Sequence, residues 1–466
     1  MNWWETDFVS VRGNRLQIAG REAAELAERY GTPLYVYGKD RILELYARLE
    51  DAFDRHSVLQ SRICYAMKAN PHRGILRLLQ RRGAWIDAVS PCEVETALKA
   101  GFPAERILFT GTSVSRADLR AVFAIPGLTV NIDAAEQLDL MSEVKRDFPG
   151  RTIRVSVRWN PGIGRGFNAR VITAGRRSSD GTPIKFGVES RKVLGVFRQA
   201  RKLGFRPVGL HQHLGSGWVR EDLGMVLTAV DRMVRKAREI EKDGFPLEFL
   251  DFGGGFGPRY LKSRGVFPVE DYIAYLSDAV ARAGLTVQAL AIEPGKYLVG
   301  DAGALLLGVE YVKESYGNIF ACVDGGTADR DGVRLRRSAV VREQSKLRVA
   351  VGNVAGTAEG AGRAAVQVVA VGGHRAVAIG ACAARVARYD CVLDVHCPVG
   401  RWGAPDVVLD PAPAPRSYGS GAVFGYRDVG ECDDRRAGAV VNPAARAGDA
   451  GRSVSADGHI SHVGGG

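Results

Sequence analysis

The feature that most constrains this chain is a recurrence. Between about residues 32 and 300, short apolar runs rich in β-formers alternate with runs apolar at three- and four-residue spacing. The strand candidates are PLYVYG, RICYAMKA, AWIDAVS, RILFTG, LTVNIDA, IRVSVRWNP, PVGLHQHLGS, LEFLDFGGG and VQALAIEPG. Helical patterns such as DRILELYARLEDAF and VETALKAG lie between them. Near-continuous apolar strands separated by helices imply parallel strands covered on the outside. About eight such units predict a (β/α)8 barrel. A doubly wound sheet is the competing arrangement, but no GxGxxG follows the first strand.

Polar and glycine residues gather where these strands end: Lys68, Asp87, Ser90, Asn131, Arg158, Asn160, His213, Ser216, Gly253 to Gly255 and Glu293. In a barrel this is the face that carries chemistry. One such residue says little; its repetition over successive strands predicts a site built from many of them.

Bulk properties narrow the classes. With 466 residues and 46% hydrophobic composition the chain can bury two cores. The net charge of +12 comes from bases spread along the whole chain, without an aromatic-interleaved basic run, so no nucleic-acid partner is expected. Seven cysteines without CxxC spacing indicate neither a zinc ribbon nor a disulfide framework. The N-terminal MNWWETDFVSVRG lacks the pattern of a signal peptide, and no run approaches the ~18 apolar residues of a membrane span. A soluble cytoplasmic protein is the expectation.

Four segments carry chemistry. In YAMKAN, Lys68 sits among apolar and small neighbours. A surface lysine is the ordinary alternative; a desolvated amine of lowered pKa would instead bond a cofactor aldehyde such as pyridoxal phosphate. LDFGGGFG offers three glycines after a strand, more than a tight turn needs, so backbone N–H groups of Gly253, Gly254 and Gly255 can approach a phosphate. In HQHLGSGW, alternation puts His211 and His213 on one side. A zinc pair would need a third ligand that the sequence does not place. An imidazole stacked on a ring, with Ser216 at a phosphate, uses these residues better. In IEPGKYLVG, Glu293 precedes a Pro–Gly turn that would aim its carboxylate at a pyridine nitrogen, in contrast to a surface Glu–Lys pair of little worth.

The order YAMKAN, HQHLGSG, DFGGGFG, EPGKYLVG and VDGG resembles the fold-type III pyridoxal-phosphate decarboxylases. The segment RWNPGIGRGFNARVITAGRRSSDGTPIKFGVE is most similar to the diaminopimelate decarboxylases. The resemblance covers roughly residues 20 to 327. It implies that Lys68 is the covalent cofactor anchor, that His213 stacks on the ring, and that Ser216 with Gly253, Gly254 and Gly255 holds the phosphate. Glu293 would meet the ring nitrogen, with Asp87 and Arg158 around the ring. Gly295 and Lys296 would complete the site, Lys296 at a phosphate or a substrate carboxylate. The family usually has arginine there, and lysine keeps the charge but loses the bidentate fork. The implied reaction is decarboxylation of meso-diaminopimelate to L-lysine in a homodimer, with Lys68, His213 and Glu293 catalytic and no metal. Decarboxylation of another amino acid, or cofactor binding without turnover, are the alternatives.

The implied organisation is an N-terminal segment (1–30) packing with a C-terminal β-domain, a barrel (31–300), the β-domain itself (301–450) and a disordered tail (451–466). Beyond Thr327 the resemblance fails. The family's C-E-x-G-D and G-A-Y motifs are absent, ADRDGVRLRRSAVV replaces the expected segment, and Lys346 is the one lysine left. Cys382, Cys391, Cys397 and Cys432 stand in other settings, and SYGSG around Tyr418 replaces G-A-Y poorly. A diverged β-domain, a segment of other function and a shifted reading frame remain open.

Overall fold

The computed structural model describes residues 6–12, 15–32, 34–258, 265–315 and 318–323, and six short strands between 338 and 425, with side chains described as far as Gly308. The chain divides into two units, Met1–Arg427 and Asp428–Gly466, and the barrel with the strands around it belongs to the first. The motif-poor stretch after Thr327 and the 451–466 tail lie outside the described residues, apart from those short strands.

Eight parallel strands close into a barrel. They are β1 (Gln60–Ala66), β2 (Trp85–Ala88), β3 (Ile107–Phe109), β4 (Thr129–Ile132), β5 (Arg154–Asn160), β6 (Arg206–His211), β7 (Phe249–Asp251) and β8 (Ala289–Ile292). Each pairs in parallel with the next, and β8 closes on β1 through Ala289↔Gln60 to Ile292↔Ile63. Valines, isoleucines and leucines dominate because both faces are covered, one by helices and the other by the barrel interior.

The helices form for local reasons. Lys39–His56 buries Ile42, Leu45, Tyr46, Leu49, Ala52 and Phe53, spaced by three or four so that one stripe faces the sheet. Ser115 starts Arg116–Phe123 with a reciprocal cap: its Oγ accepts from Asp118 N while Asp118 accepts from Ser115 N. Inside the barrel, Cys64, Leu108, Val208, Phe249, Ala289 and Ala291 form a separate apolar cluster. The Arg62 guanidinium stacks over Trp85 at 4.4 Å and Phe249 at 4.9 Å beside it.

One strand candidate belongs elsewhere. PLYVYG forms Leu34–Gly38 but does not enter the barrel; it pairs antiparallel with Gly303–Leu306 of the long strand Gly303–Ser315. Its alternating burial fits a strand with one covered face. The barrel therefore begins with the helix at Lys39, later than the expected boundary at 31. The N-terminal residues form a three-stranded sheet (Val9–Arg12, Arg15–Ile18, Arg21–Glu22) and the helix Ala23–Tyr30, which lies against Gly303–Ser315.

Candidate active site

The C-terminal ends of β1, β2, β5, β6, β7 and β8 bring the expected residues together. Lys68 follows β1 in a single 3-10 turn, Met67–Ala69. Its Nζ donates to Asp87 Oδ2 at 2.8 Å, from β2. The Lys68 side chain is 41% exposed to the mouth of the barrel, whereas Asp87 is wholly buried. Burial pulls the amine down, but the Asp87 and Glu293 carboxylates outweigh it and hold the ammonium above its ordinary range. The expectation of an amine lowered by desolvation is thus corrected: YAMKAN shows apolar neighbours, but the counter-ion comes from the next strand. Burial, then Glu293, pushes the Asp87 carboxyl up, with Lys68 acting against them.

Glu293, just beyond β8, is 2% exposed. Burial works against its charge, but His211 first and then Lys68 hold it far below the usual carboxylate range. His211 Nε2 lies 3.3 Å and His213 Nδ1 3.6 Å from its oxygens, so both imidazoles reach one carboxylate, although His213 lies beyond the end of β6. Burial and the Lys68 charge push His213 well below its ordinary pKa. Its ring is therefore neutral, and Nδ1 accepts a hydrogen bond from Gly254 N at 3.1 Å. That acceptor role assigns the proton to Nε2.

The three glycines are required by close approach. A Cβ on Gly254 would overlap the Glu293 carbonyl oxygen, and one on Gly255 would overlap the Trp218 indole. Gly253 and Gly255 have φ of 70° and 130°, outside the range comfortable for other residues. Two of their N–H groups are engaged within the chain: Gly253 N donates to Asp251 Oδ1 at 2.9 Å and Gly254 N to His213. Of the three N–H groups expected at a phosphate, these two are thus occupied, and the absent side chains leave space beside them. Ser216 sits alongside, because Gly217 N and Trp218 N both donate to Gly255 O at 2.8 Å.

The remaining expected residues flank this centre. Arg158, at the end of β5, is buried 3.4 Å from Asp133 and stacks over Phe186 at 4.7 Å. Gly295 packs on the end of β1, where a Cβ would come within 3.2 Å of Ala66 and Ala69. Lys296 places Nζ 5.2 Å from the Phe167 ring centroid. Burial and then the Lys68 charge push its amine down to about 8. Asn160 pins the loop beyond β5, accepting from Gly162 N and Gly175 N and donating to Gly175 O and Phe186 O.

Asp251 was missed by sequence reasoning. It ends β7 with no exposure, next to His211 by strand register and close to Glu293. One acid in an otherwise apolar strand was the available signal.

The donor set fits pyridoxal phosphate. An amine, a buried carboxylate with an orphaned oxygen and a neutral imidazole surround a glycine cradle that side chains would fill. Residues 39–300 match the family model of the pyridoxal-dependent decarboxylase, pyridoxal binding domain. The diaminopimelate decarboxylase of Methanothermobacter thermautotrophicus is 41% identical over 325 residues, 68% of this chain and 72% of that protein. That of Bacillus subtilis is 33% identical over 320 residues, 67% and 71% of the two chains. The crystal structure of the Helicobacter pylori diaminopimelate decarboxylase complexed with L-lysine superposes with a TM-score of 0.64 at 23% identity, covering 86% and 95% of the two chains. The last of these speaks to the fold; the family match and the sequence identities carry the assignment. The chain belongs to the pyridoxal-dependent decarboxylases and, within them, to the diaminopimelate decarboxylases.

Proposed function

We propose that this chain is a carboxy-lyase that converts meso-diaminopimelate to L-lysine and carbon dioxide with pyridoxal phosphate. The observation that carries this reading is the pairing of Lys68 with buried Asp87 beside the Glu293 carboxylate, in a chain 41% identical to a diaminopimelate decarboxylase.

Lys68 would hold the cofactor covalently, Glu293 would face its ring nitrogen, His213 its ring face, and Ser216 with Gly255 N its phosphate, in the space that the side-chain-free Gly253 and Gly254 leave. When bound, the cofactor supplies an electron sink for the pair left behind as carbon dioxide departs. The residues do the rest. Lys68 must lose a proton to act as a nucleophile, and Asp87 Oδ2, 2.8 Å away on a carboxyl that burial pushes up, is placed to take it. Glu293, held as an anion, keeps a proton at whatever nitrogen faces it. Neutral His213 presents an uncharged face. Lys296 adds positive charge that attracts a substrate carboxylate, and Arg158, paired with Asp133, stands around the ring.

The chain is read as a cytoplasmic homodimer; among the described residues no helix is long and apolar enough to cross a membrane. The test offers meso-diaminopimelate, ornithine, lysine and arginine together to the purified chain with pyridoxal phosphate and identifies amines by mass. Lysine formed at the expense of diaminopimelate, and lost in Lys68→Ala, is the expected result. A different amine product would reassign the substrate.

A further inference from the structure

Beneath the site, three buried titratable groups meet with their hydrogen bonding incomplete. His211 ends β6, Asp251 ends β7, and the two are register partners; Glu293 follows β8. One ligand atom from each lies within 4.8 Å of the others. Asp251 Oδ2, Glu293 Oε1 and both His211 nitrogens are buried without a hydrogen-bond partner. His211 Nε2 is 3.3 Å from Glu293 Oε1 but lacks the alignment of a full bond. Four orphaned polar atoms in one place, in a protein interior, call for a physical account.

Two ionised carboxylates here would repel, with no cation among the described residues bonded to Asp251. Its titratable surroundings are Glu293, Asp87, Cys64, Tyr272, His211 and Arg62. Of these the guanidinium of Arg62 is spent on the Trp85 and Phe249 rings. Asp251 Oδ1 is already satisfied by Gly253 N, which leaves the buried Oδ2 without a partner in a group that lies beside Glu293. A single proton on Oδ2 removes the repulsion and turns an orphaned acceptor into a donor.

We propose that Asp251 is a protonated positioning residue: its Oδ2–H donates to the Glu293 carboxylate, His211 Nε2–H donates to the same group, and together they fix Glu293 as an anion. The direction of the Asp251 shift agrees, since burial and then Glu293 push its carboxyl well above the usual range. This arrangement satisfies Asp251 Oδ2, Glu293 Oε1 and His211 Nε2 together. A divalent metal on the same three groups is the rival. It would consume the Glu293 charge, and it would need Asp251 ionised. The consequence for catalysis rests on reading Glu293 as the partner of the cofactor's ring nitrogen; the protonation of Asp251 does not.

The test separates the two. Infrared difference spectra of the cofactor-loaded protein, wild type against Asp251→Asn, are recorded at neutral pH. A carboxylic-acid C=O band present in wild type and lost in Asp251→Asn is expected. No such band, or one unchanged in the variant, overturns the proposal, as does a stoichiometric divalent metal that disappears in His211→Leu. Kinetics add a second readout. Asp251→Leu lowers kcat about ten- to hundredfold with little change in KM, the scale of one hydrogen bond to a charged group. Asp251→Asn keeps an N–H donor and recovers at least about tenfold of that loss. Equal losses in both folded variants would contradict the donor role.

Discussion

The Lys68 amine and the Asp87 carboxylate form a 2.8 Å ion pair in which one partner opens to the mouth of the barrel and the other has no exposure at all. This asymmetry lets one side chain meet a ligand while its counter-ion stays fixed. Asp87→Asn keeps the shape but removes the proton acceptor. The rate at which Lys68 captures pyridoxal phosphate, followed by the visible absorbance of the bound cofactor, falls on the order of 10²-fold. An unchanged capture rate would mean that Asp87 only packs.

Lys296 titrates in a range that arginine does not. Burial and Lys68 bring its amine to about 8, so in the free enzyme its charge is lost as pH rises through that value. The kcat/KM for a carboxylate-bearing substrate therefore falls above about pH 8. Lys296→Arg, charged throughout, flattens that limb. A limb that persists in Lys296→Arg would assign the titration to another group.

Gly254 is held by steric closeness, since its φ is not positive. Gly254→Ala must push Cβ into the Glu293 carbonyl, with an overpacking cost of about 1–3 kcal/mol. The melting temperature drops and cofactor affinity drops with it, because Glu293 moves. Thermal unfolding with and without pyridoxal phosphate measures both; unaltered affinity would separate the glycine loop from the site.

Asp251 carries a stability signature with a definite sign. A carboxyl whose folded pKa is raised keeps its proton in the fold while the unfolded chain releases it above about pH 3.9. Folding is thus penalised increasingly as pH climbs from that value toward the folded pKa. Asp251→Asn removes the penalty, so Tm rises at about pH 7 and by less near pH 4. A Tm that falls equally at both pH values would show that the carboxyl is ionised or that its shape alone matters.

Much of this was legible in the residues. Eight of nine strand candidates became barrel strands because burial on both faces leaves a continuous apolar run. PLYVYG misled because its alternation marks a strand without saying which sheet holds it; the partner, Gly303–Leu306, lies far along the chain. Lys68, His213 and Glu293 stood out as polar ends of apolar strands. Their charge states did not, since each depends on a neighbour from another strand: Asp87 for Lys68, Gly254 for His213, His211 for Glu293. Asp251 was hidden by the three glycines after it, which drew the reading to phosphate binding although two of their N–H groups serve the chain.

The measurement that bears most directly on the central claim is product identification from meso-diaminopimelate with the purified chain, pyridoxal phosphate, and Lys68→Ala in parallel. L-lysine appearing as diaminopimelate disappears, and absent with Lys68→Ala, is the predicted result. Lysine formed equally by Lys68→Ala, or no lysine from wild-type protein that has bound the cofactor, would contradict it.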